Sequence, residues 1–472
     1  MKQNKQRSFR DRLHDSFLLR SEDEAKARLF GQPASLLPQN RLRAWKLLAL
    51  VSYLIMIGMQ LFAIFSFKGS DHLINDAWRY VRDAMECRNA GVWYPMPEDF
   101  RVMGGLAGTG WVNLMVLLFH ITTNLKIVYF ANMLFVQIIL FCTLYLAKKI
   151  TGSDTIVYPT TVLFCLFGTF WSEVCVARTE IFFTALAFAA LALAYSQKRL
   201  CVIASGLLLC YANWVRPLGA SFFVAIVWLF LVLRSRPLHY VRFAAAFCVG
   251  VVLLSGWNYV HGGVFSYQPS VGSGNFLMGC NDDADGSYDK TVFSEGKAGY
   301  LTPEQIESMR MDEINDFYAD AAKQWIKENP GRFLKLMPKK FLLMYVTETY
   351  SGEIWFNNER QTSGRDYIVS LVSILRGQGD RPLEHGDVIM MYTQGFYMLT
   401  FLLFLIGVVW SMKKGYWRSM SFLYGIVLIA TAVCMITVGA ARYHFPYLPI
   451  LFITAAAFLD SAWIRRGKPA AS

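Results

Sequence analysis

The chain has few charged residues for its length. Of its 472 residues only 17% are Asp, Glu, Lys or Arg, while 55% are hydrophobic. Soluble domains carry about 25% charged residues, so the composition excludes an ordinary soluble enzyme, and its hydrophobicity excludes a disordered chain. A net charge of +12 would suit a nucleic-acid binder, but 36 Phe and 13 Trp among so few charges would not. The class that remains is a protein that crosses a membrane several times.

Familiar catalytic and ligand-binding signatures are also missing. The sequence has no GxGxxG, Walker A, HExxH, GxSxG or paired CxxC pattern. Its nine cysteines show no zinc-binding spacing. We expect no cleaved signal peptide, because the first 43 residues are largely polar and the first apolar run is long enough to span. Function must therefore be inferred from isolated polar residues near the ends of apolar runs.

Ten apolar windows meet or approach the length of about 20 residues that a spanning helix needs. Their interiors are almost free of charge, with Asp460 as the exception. An eleventh run, 109–123, is shorter and contains Asn113 and His120. The ten windows are 46–67, 126–147, 155–171, 180–196, 200–216, 218–233, 242–260, 388–411, 418–441 and 445–464.

Basic residues predict the orientation, because cytoplasmic connectors carry an excess of Lys and Arg. The basic connectors share the side of the basic N-terminal segment only if 109–123 does not cross. We therefore predict an all-α polytopic membrane protein of about ten transmembrane helices with both termini inside. The segment 109–123 becomes a helix lying in or dipping into the outer interface, one of several interfacial helices in two large outer loops.

This topology divides the chain into five parts. Most of the non-spanning residues fall outside, so we expect chemistry or recognition on the extracytoplasmic face. The parts are a cytoplasmic basic segment 1–45, a transmembrane module 46–260 that includes the first outer loop 68–125, a large outer loop 261–387, C-terminal transmembrane helices 388–464 and a cytoplasmic tail 465–472.

The outer loops contain helix signals. Residues 71–90 alternate polar and apolar faces at helical spacing, as a helix at a membrane surface does. Thr302 begins a capping box that predicts a helix to about Glu328. Asn329-Pro330 opens a basic amphipathic helix that Pro338 should kink, whereas 261–300 is expected to be ordered loop.

Three short outer connectors each carry one arginine, namely Arg178, Arg216 and Arg442. Arginine at the end of an apolar helix can simply extend its charge into the lipid headgroups. Charges at such depth are costly, however, and tend to mark functional sites. The planar guanidinium also binds phosphate through two parallel hydrogen bonds. The repeated pattern therefore favours a shared anion site.

Two carboxylates are placed to act with these arginines. Asp76 lies about nine residues after the first apolar window, and Glu180 begins the fourth. Asp76 could be a surface charge on an amphipathic helix, and Glu180 an acid favoured by a helix N-terminus. Alternatively, a carboxylate beside an interfacial site can act as a general base.

Two further features of the outer loops leave alternatives open. The acidic stretch 281–286 is spaced like a calcium loop but lacks the terminal Glu, so a capped turn is the other interpretation. Cys87 and Cys280 are the only cysteines in the two large outer segments. They are either two unrelated thiols or a disulfide, which an extracytoplasmic compartment permits.

Together these segments resemble the GT-C superfamily of polytopic glycosyltransferases, from about 46 to 464. The likeness is to bacterial members akin to the protein O-mannosyltransferases and the aminoarabinose transferase that acts on lipid A. Gly104-Gly105-Leu106 departs from the Pro-Pro-Leu-x-Tyr motif that often opens the family's second interfacial helix. The matching motifs are Asp76-Ala77-Trp78-Arg79-Tyr80, Ala177-Arg178-Thr179-Glu180, Arg216-Pro217-Leu218-Gly219, Gly274-Asn275 with Gly286-Ser287-Tyr288, Asn329-Pro330-Gly331-Arg332-Phe333 and Arg442-Tyr443-His444-Phe445-Pro446.

The resemblance implies a membrane glycosyltransferase that passes a sugar from a polyprenyl-phosphate donor to an acceptor hydroxyl on the outer face of a bacterial inner membrane, with inversion. It implies Asp76 as catalytic base, with Glu180 as the second catalytic carboxylate. Arg216, Arg442 and Arg178 would bind the donor phosphate. Substrate-binding residues would be Tyr443, His444 and Asn281.

The resemblance implies no organic cofactor and no nucleic-acid partner, and it leaves the need for a divalent metal open. Its partners would be the lipid donor, a lipid, glycan or protein acceptor, and membrane lipids. Two rival functions remain: a flippase or transporter for polyprenyl-linked glycans, and an O-antigen polymerase or ligase. The absence of repeated halves opposes a transporter. The acid soon after the first apolar window favours the transferase.

Overall fold

The described part of the chain folds into helices, with no strand among these residues. The computed structural model describes residues 24, 26–27, 29–31, 37–66, 76–96, 108–268, 272–309, 311–348, 352–356, 372–378 and 382–465. In chain order its α-helices are α1 (Gln39–Ser66), α2 (Asp76–Ala90), α3 (Thr109–Ile121), α4 (Lys126–Thr151), α5 (Val157–Cys165), α6 (Thr169–Ser172), α7 (Glu180–Ser196), α8 (Arg199–Val215), α9 (Gly219–Val232), α10 (Pro237–Gly262), α11 (Gly272–Met278), α12 (Pro303–Ser308), α13 (Met311–Glu328), α14 (Pro330–Tyr345), α15 (His385–Lys413), α16 (Trp417–Ile436) and α17 (Leu448–Leu459).

Six helical segments in the described residues are long and apolar enough to cross a membrane. They are α1, α4, α10, α15, α16 and the segment Ala441–Ile464 that contains α17. A seventh span results if α6 with the following turn, Thr169–Cys175, is joined to α7, although the two meet at 115°. The helices α3, α8 and α9 are apolar but shorter, at 13, 17 and 14 residues. The described residues thus have the predicted all-helical membrane architecture with six or seven candidate spans, and the count of about ten stays a prediction.

The helices are arranged around two that are almost wholly buried. Helix α17 is enclosed by protein along nearly its whole length, and α7 is buried on most of its surface. Helices at the periphery of the bundle instead expose large apolar side chains. Examples are Leu47 on α1 and Leu253 on α10, with 63% and 65% of their surface accessible. Apolar side chains that face outward along a helix are typical of contact with lipid.

The main apolar core lies among these helices, and a second, smaller cluster lies in the segment 272–345. The second cluster is formed mainly by α11, α13 and α14, and it includes Leu277, Ala322 and Trp325. Tyr443 packs against both clusters. The segment 272–345 is therefore attached to the helical bundle beside the turn that carries Arg442.

Local sequence signals explain where several helices begin and end. Thr302 and Gln305 form the predicted capping box at α12. The predicted single helix to Glu328 is interrupted, because Met309 is extended and α13 begins only at Met311. Pro330 opens α14 as predicted, and Pro338 lies inside it.

Two other sequence predictions need correction. The window 155–171 is broken between α5 and α6, where a Cβ on Gly168 would lie 2.1 Å from Thr393 Oγ1 of α15. This close approach requires glycine. The region 261–300 is not loop throughout, since it contains α11 and a 3-10 turn at Lys290–Phe293. The predicted helix start at 71–75, the segment Gly104-Gly105-Leu106 and the tail from 466 lie outside the described residues.

A buried ionic cluster holds the far end of the bundle together. Asp460 accepts hydrogen bonds from Ser153 Oγ at 2.6 Å, from Thr155 Oγ1 at 2.5 Å and from Arg465 Nε at 3.0 Å. Arg465 also donates to the carbonyl of Phe30 at 2.7 Å. The charge of Asp460 inside an apolar window is thus compensated by protein groups, which avoids the cost of an unpaired buried charge.

The suggested disulfide between Cys87 and Cys280 is not formed. Cys280 is a buried free thiol whose Sγ contacts the carbonyl of Ile436 at 3.5 Å. Cys87 packs in the main core, whereas Cys280 belongs to the smaller outer cluster. The two cysteines therefore serve separate apolar cores.

Candidate active site at the outer end of the bundle

Asp76 and Arg442 form an ion pair although 366 positions separate them in the chain. Asp76 is the first residue of α2, and Arg442 lies in the 3-10 turn Ala441–Tyr447 that leads into α17. Arg442 Nη1 donates to Asp76 Oδ2 at 2.9 Å. The side chains are 41% and 26% exposed, respectively, so this pair lies at an open edge of the cluster.

Glu180 brings the second arginine to the same place. Its carboxylate is 2% exposed, and its Oε1 lies 2.6 Å from Arg216 Nη1 and 4.0 Å from Arg442 Nε. Arg216 Nη1 also donates to Thr179 Oγ1 at 3.1 Å. Glu180 Oε1 is therefore buried against the guanidinium of Arg216 and holds this arginine beside Arg442.

Backbone turns hold these side chains in place. The 115° bend between the 3-10 turn Glu173–Cys175 and α7 brings Glu180 to the start of its helix. Arg216 follows the last residue of α8 with extended backbone, and Asn213 Oδ1 accepts from Gly219 N at 2.8 Å across that turn. Each functional side chain therefore begins or ends a helix rather than lying within one.

Tyr443 lies between the two arginines. Its ring centroid is 5.8 Å from the guanidinium carbon of Arg442 and 6.0 Å from that of Arg216. An aromatic face at this distance attracts a guanidinium group. Tyr443, which the resemblance assigned to substrate binding, thus helps to keep the two cations on one side of the cluster.

Tyr80 closes the site on the side of α2. It lies one turn after Asp76, and its ring packs on Gly108, where a Cβ would approach Tyr80 Cε1 to 2.6 Å. Gly108 also has φ +80°, a conformation that favours glycine. Burial, followed by the charge of Asp76, raises the pKa of Tyr80 above its usual range, so the phenol stays protonated.

Arg178 lies behind this cluster, in a pair of its own. Its Nη2 and Nε contact Glu173 Oε2 and Oε1 at 2.9 and 3.3 Å, and both side chains are buried. A bidentate pair of this kind occupies most of the guanidinium fork. The structure therefore does not present Arg178 beside Arg216 and Arg442 as a third open phosphate ligand.

His444 also has protein partners on both ring nitrogens. Nδ1 contacts the carbonyl of Met344 and Nε2 contacts Glu348 Oε2, with the imidazole only 2% exposed. A substrate could reach neither nitrogen without displacing one of these groups. The structure therefore gives His444 a role in holding the turn together, and its contact with a substrate stays a prediction.

Asn281 and the acids after it form a turn that docks on α14. The Asn281 amide donates to the carbonyls of Leu277 and Met278 and accepts from Asp283 N, so its hydrogen bonds lie within the turn. Lys339 of α14 lies 3.0 Å from Asp285. The capped-turn interpretation of 281–286 is the one that the structure supports. Among the described residues no group of three or more His, Cys, Asp and Glu is arranged to hold a metal ion.

The open cluster therefore contains two carboxylates, Asp76 and Glu180, and two guanidinium groups, Arg216 and Arg442. Partial burial raises the pKa of Asp76, but the charge and hydrogen bond of Arg442, together with the charge of Arg79, hold that pKa below its ordinary value of 3.8. Asp76 is consequently ionised at neutral pH. The arrangement can bind an anion through its arginines and accept a proton through an exposed carboxylate.

Sequence reasoning did not identify two buried acids near the site, Glu173 and Glu348. Glu173 lies in the connector that carries Arg178. The only sequence signal for Glu173 was this arginine five residues later, with which it pairs. Glu348 lies outside every recognised motif. Its contacts join segments more than 90 positions apart, so only the fold identifies it.

No protein-family model matches the chain, and no curated protein matches it in sequence. Among solved structures the chain is similar to the oligosaccharyltransferase of Archaeoglobus fulgidus in its apo form, with 12% identity and a TM-score of 0.46. It is also similar to that archaeon's oligosaccharyltransferase AglB in complex with an inhibitory peptide and a dolichol-phosphate, with 12% identity and a TM-score of 0.44. Each match covers 90% of this chain, which spans about half of the matched proteins, 53% and 52%.

Proposed function

We propose that the protein is a membrane glycosyltransferase of the GT-C type that moves a sugar from a polyprenyl-phosphate donor to an acceptor hydroxyl. The observation that carries this proposal is the meeting of Arg216 and Arg442 on one oxygen of Glu180, beside the exposed carboxylate of Asp76. An enzyme for this reaction needs a cationic site for the leaving phosphate and a base for the acceptor, and the cluster supplies both.

Asp76 would activate the acceptor. Its exposed carboxylate would accept the proton of the acceptor hydroxyl as the oxygen attacks the anomeric carbon of the sugar. The bond between that carbon and the phosphate oxygen would break at the same time, with inversion. A positioned general base of this kind contributes about 10²–10⁴-fold to the rate.

The donor half belongs to the two arginines. Negative charge develops on the lipid phosphate as the sugar departs, and cations fixed in advance stabilise that charge without reorganisation. Arg442 has the more exposed side chain and would contact the phosphate first, with Arg216 beside it. Glu180 would keep the two guanidinium groups close together and would act on the reaction by positioning them.

An apolar groove provides a place for the prenyl chain. It encloses about 670 Å³ among α9, α14, α15 and α16. Its lining extends from Trp417 at the start of α16 to Tyr345 at the end of α14, and the Tyr345 ring stacks on His444 with centroids 6.1 Å apart. The groove thus lies beside the turn that carries Arg442, and a lipid bound in it would extend its phosphate toward the arginines.

The proposed topology keeps ten crossings. We infer that the broken helix α5–α6 and the shorter helices α7, α8 and α9 cross along with the six long segments, while α3 lies in the outer interface. The domain boundaries remain those predicted from the sequence, with 261–387 as the large outer loop. The site then faces the exterior of a bacterial inner membrane.

Radiolabelled sugar transfer tests this function against its two rivals. Purified protein in lipid nanodiscs should form a glycosidic bond from a monophosphate polyprenyl donor. A flippase would move that lipid between leaflets without forming a bond. An O-antigen polymerase or ligase would need a diphosphate-linked glycan. Transfer from the diphosphate donor alone, or lipid movement without transfer, would disprove the proposal.

A further inference from the structure

The buried acid Glu348 connects the segment that leads to Glu180 with the turn that carries Arg442. Glu348 follows α14, is 2% exposed, and uses both carboxylate oxygens. Its Oε1 accepts from Thr169 Oγ1 at 2.6 Å, and its Oε2 contacts His444 Nε2. Thr169 begins the bent segment that ends at Glu180, while His444 lies in the turn of Arg442.

The protonation of this bridge follows from its partners. His444 Nδ1 faces the carbonyl of Met344, which can only accept, so that nitrogen must carry hydrogen. One further proton lies between His444 Nε2 and Glu348 Oε2, whichever of the two atoms holds it. The pair is therefore neutral as a whole, and it avoids the cost of an unpaired buried charge.

The segment of Glu348 is itself anchored in the bundle. Gln394 of α15 accepts from Glu348 N at 2.8 Å and donates to the carbonyl of Val346 at 2.8 Å. Tyr397 of α15 donates to the carbonyl of Tyr345 at 2.9 Å. The segment after α14 is thus fixed in the bundle, and the buried side chain of Glu348 reaches both arms of the site.

We propose that Glu348 is a positioning residue that sets the distance between Glu180 and Arg442 by joining Thr169 to His444. The catalytic meaning of this inference rests on the proposed function. That distance is 4.0 Å between Glu180 Oε1 and Arg442 Nε. With the bridge intact, Arg442 stays beside Arg216 and both can contact one phosphate. Without it, the 3-10 turn Ala441–Tyr447 loses the hydrogen-bonded connection to Thr169 that Glu348 provides.

Substitutions at Glu348 test the bridge, and Asp460 provides the matched control. Glu348→Gln keeps an acceptor for Thr169 and a donor for His444, whereas Glu348→Ala keeps neither. Asp460→Ala removes an equally buried carboxylate that binds two hydroxyl groups at the other end of the bundle. Because Glu348→Ala also leaves a cavity, Thr169→Val gives a second variant that loses one hydrogen bond at constant volume.

Two measurements test the role of Glu348 separately from the proposed function. Structures of the full-length variants should show a longer Glu180–Arg442 distance in Glu348→Ala, a smaller change of the same sign in Thr169→Val, and no change in Glu348→Gln or Asp460→Ala. Affinity for a short-chain prenyl phosphate, measured on folded protein, should fall about tenfold in Glu348→Ala and remain unchanged in Glu348→Gln and Asp460→Ala.

An unchanged distance in Glu348→Ala or, if that variant does not fold, in Thr169→Val would overturn the bridge. Equal loss of affinity in Glu348→Ala and Asp460→Ala would also overturn it, because the effect would then be one of general stability. Wild-type protein that binds no prenyl phosphate would instead refute the proposed function. The distance measurement would still decide the role of Glu348.

Discussion

Arg442 binds the carboxylate that we propose as the catalytic base, through a contact of 2.9 Å between Nη1 and Asp76 Oδ2. The same guanidinium is the most exposed cation of the cluster available to a donor phosphate. An entering phosphate would therefore compete with Asp76 for Arg442. Donor binding would free the base, so that deprotonation of the acceptor would follow occupation of the phosphate site.

Asp76→Asn should abolish transfer yet strengthen anion binding. The variant loses the base, for which we expect a decrease of about 10²–10⁴-fold in rate. It also removes the negative charge that competes for Arg442, so prenyl phosphate should bind roughly three- to tenfold more tightly, since charges at contact distance interact strongly near a protein surface. Glu86→Gln, which alters an exposed acid on the same helix, is the control. Weaker binding by Asp76→Asn would contradict the competition.

The pH dependence of the reaction rate should reveal the replacement of Asp76 by phosphate at Arg442. In the free protein Arg442 holds the pKa of Asp76 below 3.8, so the base form is lost only as the pH falls through that lower value. Once phosphate takes Arg442, Asp76 loses a cation and gains a neighbouring anion, and both changes raise its pKa. The acidic limb of kcat should therefore lie about one pH unit or more above that of kcat/KM. Coincident limbs would show that Arg442 stays on Asp76 during the reaction.

Arg442→Ala should weaken donor binding about tenfold or more, because a hydrogen bond to a charged group contributes about 1.5–3 kcal/mol. Arg442→Lys should restore only part of the affinity, since it keeps the charge and loses the fork. Arg332→Lys, at an exposed arginine of α14, provides a control substitution of the same type. Isothermal titration with a short-chain prenyl phosphate measures the affinity of all three variants, and wild-type affinity in Arg442→Lys would exclude bidentate binding.

Filling the apolar groove should discriminate between donors by chain length. Gly425 lines the groove, and a Cβ placed there meets no heavy atom within 4 Å. Gly425→Leu should therefore fold, occupy space meant for lipid, and raise KM severalfold for a long prenyl donor but not for a short one. Gly395 of α15 has equally open surroundings outside the groove lining, so Gly395→Leu is the control. Equal effects on both donors would place the chain elsewhere.

Single cysteines should establish whether the short helices α8 and α9 cross. In a background that lacks the exposed Cys248, we place cysteine at Lys198, Ala220 and Arg236, which are exposed and flank these two helices. An impermeant maleimide added from outside should label position 220 alone in intact cells. Labelling of all three positions, or of none, would contradict the ten crossings.

Apolar runs predicted most of the helices, because a membrane-spanning helix needs a long apolar stretch of chain. Every predicted window contains helix, and the capping box at Thr302 forms. The break at Gly168 could not be predicted, since it arises from the approach of Thr393, more than 200 positions away. The interruption at Met309 likewise has no signal in helix periodicity.

Within the site, the sequence indicated which residues stand at helix ends but not how they pair. Arg178, Arg216 and Arg442 looked equivalent as single cations in short connectors. The fold separates them, because Glu173 binds Arg178 from behind while Glu180 faces the other two. The role of Glu348 could not be predicted, because nothing in its local sequence distinguishes it from a surface acid.

A structure of the full-length protein with a bound polyprenyl monophosphate tests the central claim most directly. Our account predicts density for the phosphate between the guanidinium groups of Arg216 and Arg442, with the prenyl chain in the groove that Gly425 lines. Asp76 should be released from Arg442 and should face the space where an acceptor hydroxyl would enter. A phosphate bound away from both arginines, or an Asp76–Arg442 pair that persists beside bound lipid, would contradict it.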